Sequence, residues 1–388
     1  MIATIVFLAA ASAVIYVLIG YPLLLEVWAR FLPKPIIKRE HFAPVSVIIP
    51  VRNGERWLRR KIESVLAQDY PAELREIIIV SDGSTDSTEA IATEYANRGV
   101  RLLSVIAGGK PAALNAAVPA ARGELLFLTD VRQTLRSDCL RRLVACMADP
   151  AVGVVSGNLQ IRTGTTEEEH NTGLYWRYEN WIRRNLARVD SMLGATGPVC
   201  MVRRSLYVPI PPDSLLDDVY LPLSIHLQGY RLVLEEEAIA LDEPTKLDSE
   251  FRRKVRTQAG IVQLIGSFPG LFSSRNRMRF HFLSLKVGRL LLPYLLVITL
   301  VSSLALPAPW RWPIATPQFV FWLLAVFDPW LKPGSILKKM TSTPRAFAVL
   351  VVSASCALQI LFVPPRKLWI EARTNTTTNA EFVNRSGA

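Results

Sequence analysis

Four acids and one lysine carry most of the chemistry available to this chain. Asp130 follows the apolar run Leu125-Leu126-Phe127-Leu128, and Asp82 ends the run Ile77-Ile78-Ile79-Val80-Ser81. Asp217 and Asp218 follow Leu215-Leu216, and Lys110 follows Gly108-Gly109. An apolar run that is preceded by Arg122-Gly123 and stops in an acid reads as a buried strand of a parallel sheet. In open α/β sheets a ligand sits beyond the carboxyl ends of the strands. Asp130 is therefore expected on a rim, where the phosphates of a nucleotide would be held. Acids on such a rim suit sugar hydroxyls, a base edge, or a divalent metal that bridges phosphates. Two other phosphate motifs are missing. The first strand runs into Pro50-Val51-Arg52-Asn53-Gly54 instead of G-x-G-x-x-G, and Gly109-Lys110 precedes Pro111, so there is no Walker A. Cys139, Cys146, Cys200 and Cys356 lack metal spacing and read as small buried hydrophobes of a reducing compartment. The histidines are as scattered, so no zinc site is expected.

The elements that must position these residues follow from pattern. Residues 45–240 alternate short apolar runs with amphipathic segments, the signature of an α/β fold built from βαβ units. Strands are expected at Val45–Ile49, closed by Pro50, and at Ile77–Val80, Leu102–Ile106, the run ending in Asp130, and Val152–Val155. A helix with Trp57, Leu58, Ile62, Val65 and Leu66 on one face should follow the first strand. One of Ser84 to Ser87 can cap the next helix. Further helices are expected over about 174–188, with Tyr175, Trp176, Tyr178 and Trp181, and from Leu215 to about Gln228.

The chain has 388 residues, half of them hydrophobic, and a net charge of +12. The apolar excess concentrates before residue 30 and after residue 287, which points to membrane segments. Lys and Arg cluster beside those segments (Arg30, Lys34, Lys38, Arg39; Arg275, Arg277, Arg279, Lys286, Arg289), so the basic excess fits a membrane surface and cytoplasmic flanks rather than nucleic acid. Residues 2–27 read as an uncleaved anchor, because the apolar run continues past Ala11-Ser12-Ala13 and no basic n-region precedes it. Pro33-Lys34-Pro35 reads as a linker. Residues 250–286 are basic and amphipathic, as in helices lying in the interface. Apolar segments follow near 288–307, 314–331 and 346–364, one of them a candidate for a re-entrant or interfacial segment. The organisation expected is an anchor over 1–30, a catalytic domain over 45–245, interface helices over 250–286, membrane segments over 288–364 and a tail over 365–388.

The order of these residues resembles glycosyltransferase family 2 over roughly residues 45–260. It comprises a strand with Pro50, then Asn53, Ser81-Asp82-Gly83-Ser84-Thr85-Asp86, Gly109-Lys110 with Leu114-Asn115, a strand ending in Asp130, and Asp217-Asp218. The resemblance implies a GT-A fold, a Rossmann-like mixed sheet, joined to transmembrane helices. It implies an inverting hexosyltransferase that uses a nucleotide-diphosphate sugar, UDP-linked by family habit, and a lipid-linked or polysaccharide acceptor. Its membrane-embedded branch includes cellulose, chitin and hyaluronan synthases and bacterial exopolysaccharide transferases, which implies a bacterial inner or plasma membrane with the catalytic domain cytoplasmic. By the same resemblance Asp82 reads the nucleobase beside Val51 and Asn53, and Lys110 lies close to the donor nucleotide. Asp130 matches the first acid of D-x-D, and Asp218, beside Asp217, matches the base that deprotonates the acceptor hydroxyl. Gly194-Ala195-Thr196-Gly197 resembles the acceptor-side segment, and Arg256 falls where processive members carry Q-x-x-R-W.

Two positions depart from the family pattern. Arg132 stands where the second acid of D-x-D holds the metal, so Mg²⁺ or Mn²⁺ would rest on Asp130, and Arg132 is expected to supply charge to the leaving diphosphate. Thr257 replaces the tryptophan that serves a growing chain, which leaves addition of one or a few sugars as open as processive synthesis. Each motif also has a plainer reading. Asp82 to Asp86 can be a turn and cap, and Asp217-Asp218 can complement a helix dipole. Lys110 can be a solvated lysine, residues 252–256 a membrane-surface face, and the aromatic helix ordinary packing or a sugar-stacking surface. Glu167-Glu168-Glu169 and Glu235-Glu236-Glu237 read as solvated faces. Two alternatives remain: a nucleotidyl- or phosphosugar transferase, and a non-catalytic membrane protein with a degenerate nucleotide-sugar-binding domain. The sequons at Asn375 and Asn384 stand without other signs of a secretory lumen.

Overall fold

The computed structural model describes residues 1–161, 167–243, 247–332, 334–365 and 367. The sequons at Asn375 and Asn384, like the basic tail residues Arg366 and Arg373, lie outside the described residues. The chain forms two units, Met1–Trp28 with Thr163–Ile182 and Thr245–Ala388, and Ala29–Arg162 with Arg183–Pro244.

The second unit is built on eight strands: β1 Val45–Val51, β2 Arg75–Asp82, β3 Val100–Val105, β4 Leu125–Leu128, β5 Thr134–Leu135, β6 Val152–Ile161, β7 Cys200–Arg203 and β8 Arg231–Asp242. They form one mixed sheet in the order β3-β2-β1-β4-β7-β6-β8-β5. The pairs β3-β2, β2-β1 and β1-β4 are parallel; β7 runs antiparallel to β4 and β6, and β5 runs antiparallel to β8. The chain lays β2 and β3 on one side of β1 and β4 on the other, so a crevice opens at the carboxyl ends of β1 and β4. All seven residues of β1 are buried, as a strand covered on both faces requires.

The strands extend past their sequence-based bounds. Pro50 does not end β1, which continues to Val51 with Pro50 opposite Val80. Ile48 offers its carbonyl to Thr129 on the β4 side, and residues two apart in a strand point the same way, so Pro50 turns its missing donor past the end of β4. β2 reaches Asp82. β4 ends at Leu128, which places Asp130 two residues beyond the strand. The short β5 and the long β8 carry no clear apolar signal. Glu235, Glu236 and Glu237 lie in β8 and are not one solvated face. Side chains alternate along a strand, and Glu235 is buried, where it accepts hydrogen bonds from Lys38 and the Cys146 thiol.

The helix Glu55–Leu66 buries Leu58, Lys61, Ile62 and Val65, an i, i+3, i+4, i+7 stripe. The helices at Glu167–Val189 and Asp217–Leu227 agree with expectation, the first starting earlier than residue 174. The linker is strapped down in this unit. Lys34 pairs with Asp190 and Lys38 with Glu235, Ile37 donates to Asp149, and Arg231 donates to the carbonyls of Lys34 and Pro35.

In the first unit, three helices among the described residues are long and apolar enough to cross a membrane: Ile2–Phe31, Arg279–Leu304 and Ile336–Leu361. The second begins inside the stretch expected to lie in the interface. The helix Ala308–Phe327, where a fourth apolar segment was expected, does not qualify; it carries Arg311 with Pro313 and Pro317 inside it. Asp328, just after it, is buried in an ion pair with Lys338 and accepts a hydrogen bond from Thr341.

Candidate active site

The crevice between β1 and β4 gathers side chains from five segments of the second unit. The first is the loop after β1. Asn53 takes a left-handed backbone, φ 51°, which asparagine tolerates better than most residues. Its side-chain carbonyl accepts from the Thr85 amide at 2.8 Å and its own amide donates to Ser84, so it ties the β1 loop to the β2 loop. Val51 is buried below it. Ser87 is the N-cap of the next helix without a side-chain cap bond, and Asp86, just before it, accepts from the amide of Thr88 and also from that of Glu55.

The second segment is Gly108-Gly109-Lys110. Asp82 is buried, and its carboxylate accepts from the amides of Gly108 at 2.7 Å and Gly109 at 3.0 Å. Gly109 has φ +88°, a conformation that side chains rarely adopt. That turn starts the helix Lys110–Ala120, with Pro111 in its first turn, and puts Lys110 at the helix mouth. Asp82 therefore fixes the lysine loop, whatever else it binds.

The third and fourth segments meet on Lys110. Its ammonium lies 2.8 Å from Asp130 Oδ1 and 2.9 Å from Asp217 Oδ2. It is no solvated surface lysine. Burial pushes its pKa down, but Asp130, Asp217 and Asp218 outweigh burial and hold it above the usual lysine range. Burial pushes Asp130 up, and Lys110 outweighs that, so its carboxyl stays below the usual range and ionised. The helix Asp217–Leu227 has Leu216 as its N-cap with no side-chain cap bond. Asp217 is spent on Lys110 rather than on capping, though both acids still sit in the first turn, where they complement the helix dipole.

The fifth segment is Gly194–Gly197. The Ala195 amide donates to the Asp218 carbonyl at 2.8 Å, and the Thr196 amide donates to buried Ser156 Oγ at 2.8 Å. Thr196 Oγ1 also accepts from Arg183. Gly194 has φ +147°. A Cβ on Gly197 would stand 3.4 Å from Asp130 Oδ2, 3.6 Å from Asp218 Oδ2 and 3.6 Å from Lys110 Nζ. Gly197 is thus the floor on which the acid of β4, the acids of the helix and the lysine converge.

Arg132 sits differently from expectation. Its guanidinium bonds Asp242 Oδ2 at the end of β8, and Gln133 donates to the same oxygen at 2.9 Å. Lys110 is the cation hydrogen-bonded to Asp130, and Arg132 acts on that carboxylate through charge alone. Arg256 lies half-buried on the helix Leu247–Ser267 of the first unit. Tyr178 and Trp181 meet at a tilt, and Arg289 stands over the Tyr178 ring and pairs with Glu179, which favours packing for that part of the aromatic helix. Sequence reasoning missed Lys61. It is 0 % exposed, below the Asp130 loop, and its signal was a charge at the i+3 position of an apolar stripe. Burial pulls its amine down to about 7 against the opposing pull of Asp130.

Residues 46–208 match the family profile described as Glycosyl transferase family 2, and residues 130–327, half of the chain, match Glycosyl transferase family group 2. The chain is 29% identical over 301 residues to an N-acetylglucosaminyltransferase of Rhizobium sp. (strain N33), covering 69% of this chain and 64% of that protein. It is 27% identical over 334 residues to an N-acetylglucosaminyltransferase of Rhizobium meliloti (strain 1021), covering 78% and 77%. A poly-beta-1,6-N-acetyl-D-glucosamine synthase of Staphylococcus aureus (strain COL) is 25% identical over 64% of this chain and 61% of its own length. In fold, the chain is similar to a mannosyltransferase of Pyrobaculum calidifontis solved with GDP-Man and Mn²⁺, with a TM-score of 0.69 at 20% identity over 91% of this chain and 97% of that one.

Proposed function

Because the chain belongs to glycosyl transferase family group 2, we propose that it is an inverting, membrane-associated glycosyltransferase that moves N-acetylglucosamine from a UDP-linked donor to a lipid-linked or polysaccharide acceptor. The observation that carries this reading is the junction over Gly197, where Lys110, Asp130 and Asp218 face one space. The names of the relatives support the sugar, and family resemblance supports the uridine nucleotide. The three apolar helices support the membrane, and the basic residues beside the apolar segments support a cytoplasmic side for the catalytic unit.

In this reading Asp82, Val51 and Asn53 frame the nucleobase end of the donor. Lys110 neutralises the diphosphate, aided by its fixed place at a helix N-terminus. Asp218 Oδ2 accepts the proton of the acceptor hydroxyl as that oxygen bonds to the anomeric carbon. The bond from that carbon to the diphosphate oxygen breaks on the opposite face, so the configuration inverts and the nucleoside diphosphate leaves. Thr196 and Gly197 line the acceptor side.

The donor set also fits a divalent cation, with a limit. Asp130 Oδ1 is paired with Lys110, while Oδ2 makes no hydrogen bond among the described residues. No group of three or more His, Cys, Asp or Glu that could hold a metal occurs among the described residues. Mg²⁺ or Mn²⁺ would therefore rest on Asp130 Oδ2 and on the substrate's own diphosphate, where it would supply charge neutralisation of the leaving group.

The test uses the full chain in purified membranes with radiolabelled UDP-N-acetylglucosamine, UDP-glucose and GDP-mannose, with EDTA or added Mg²⁺ and Mn²⁺. Transfer from the first donor, a loss of about 10²–10⁴-fold in Asp218→Asn and unchanged UDP binding are expected. A retained rate in Asp218→Asn rejects the base. Turnover of none of the three donors rejects the activity, and turnover of GDP-mannose alone rejects the donor.

A further inference from the structure

A lysine buried from water with no carboxylate bonded to it is costly, because an ammonium in the interior loses several kcal/mol of hydration. Lys61 is such a group. It sits on the helix Glu55–Leu66, in line with Leu58, Ile62 and Val65. Its ammonium donates to Thr129 Oγ1 at 2.6 Å and to the Gln133 carbonyl at 2.8 Å. These two acceptors bracket the Thr129–Gln133 loop that carries Asp130 and Arg132. Thr129 Oγ1, having accepted from Lys61, donates its own proton to the Pro198 carbonyl at 2.6 Å. Pro198 adjoins Gly197, the floor beneath Asp130, Asp218 and Lys110. Gln133 continues outward to Asp242, which also holds Arg132. The helix, the end of β4, the turn before β7 and the end of β8 thus meet through one buried amine.

We propose that Lys61 is a positioning residue for sugar transfer, whose buried ammonium clamps both ends of the Asp130 loop and, through Thr129, locks that loop to the acceptor-side turn at Gly197–Pro198. The proposal rests on the reading of Asp130 as the donor-diphosphate residue. Lys61 has no path to substrate and acts through its neighbours. Its role is to fix the distance between the donor acid and the acceptor floor, and a displacement of about 1 Å at a reacting centre costs on the order of 100-fold in rate.

The experiment compares Lys61→Met, Lys61→Gln and Thr129→Val in the full-length, detergent-solubilised protein, with Asp130→Ala beside them. Met replaces the aliphatic stem of lysine without its nitrogen and makes neither bond; Gln can restore a bond to Thr129 without charge; Val keeps the shape of Thr129 and removes its link to Pro198. The expected result is a fall in kcat of roughly 10- to 100-fold in Lys61→Met with the donor KM within about 3-fold, partial rescue in Lys61→Gln, and a smaller fall in Thr129→Val. Should Lys61→Met fail to fold, Thr129→Val carries the test by itself. A kcat in folded Lys61→Met or Thr129→Val within 2-fold of the parent overturns the proposal, as does a Lys61→Gln no faster than Lys61→Met. Asp130→Ala separates the two readings: an active Asp130→Ala rejects the site, whereas an inactive one beside an active Lys61→Met rejects only the clamp.

Discussion

The two halves of the sheet do different work. The parallel half, β3-β2-β1-β4, delivers acids to the crevice by strand direction alone: Asp82 ends β2 and Asp130 follows β4. In the mixed half, β7-β6-β8-β5, β6 and β8 run with the parallel strands while β7 and β5 run against them. This half supplies the Gly197 floor before β7, the buried Ser156 that holds Thr196, and Asp242, which ends β8 and fixes Arg132. Parallel strands all point one way, so their ends form a ready-made rim. β8 runs with them and brings Asp242 to the same rim, whereas the antiparallel β7 contributes through the turn before it. The crevice therefore has one wall set by strand ends, the donor wall of the proposed function, and another set by side-chain and turn contacts, its acceptor wall; Lys110 joins the two by pairing with Asp130 on one side and Asp217 on the other.

The largest effect expected comes from breaking that join. Lys110→Met removes the cation bonded to both Asp130 and Asp217 and, in the proposed function, the charge on the diphosphate. A loss of transfer on the order of 10²–10³-fold is expected, together with a lower melting temperature, because like charges at short range destabilise the fold. Steady-state kinetics and thermal unfolding check both, and a Lys110→Met enzyme of normal rate would remove the lysine from the donor wall. Gly197→Ala probes the seam from the acceptor wall. Its Cβ meets ordinary contact distances of 3.4 to 3.6 Å, so the fold should be unchanged, but it fills the space between Asp130 and Asp218. A drop in kcat of about 10-fold with an unaltered melting temperature is expected; the comparison fails if the variant is fully active.

The smallest effect is on stability, and it sets Lys61 apart from Lys110. In the unfolded chain Lys61 keeps its proton into the usual lysine range near ~10.4, while in the fold burial brings it to about 7. Between those values the unfolded chain binds more protons, so this group makes stability rise with pH from about 7 towards 10. The melting temperature of the parent, measured relative to Lys61→Met, should climb across that window. Lys110 is shifted upwards and should give no such climb. A parent and a Lys61→Met variant with parallel pH profiles would show that Lys61 is solvated.

The same contrast governs what could be read in advance. Family membership, the α/β class, the parallel strands and the helix at Asp217 were legible because each leaves a local pattern: an apolar run, a glycine turn, an acid at a run's end. β8 was not. Its Glu235-Glu236-Glu237 reads as exposed charge, yet Glu235 is buried because Lys38 and Cys146 reach it from distant positions in the chain. The linker before β1 gave no sign of its partners for the same reason, since Lys34 and Lys38 find Asp190 and Glu235 only when the chain is folded. Arg132 was expected on the diphosphate because it stands at the second acid of D-x-D; that its guanidinium also meets Asp242, 110 residues away, no neighbouring residue shows.

The sequence by itself determined the rim. Strand polarity and the short-range order of Asp82, Lys110, Asp130 and Asp218 are properties of contiguous segments, and local patterning is enough to define them. Only the tertiary structure decided which charges pair. Lys110 instead of Arg132 is hydrogen-bonded to Asp130, and Lys61, one lysine among many in the sequence, lies dry beneath it. Ion pairs and buried hydrogen bonds depend on distance and desolvation between segments far apart in the chain; a local stripe can place Lys61 on a buried face but cannot name its partners.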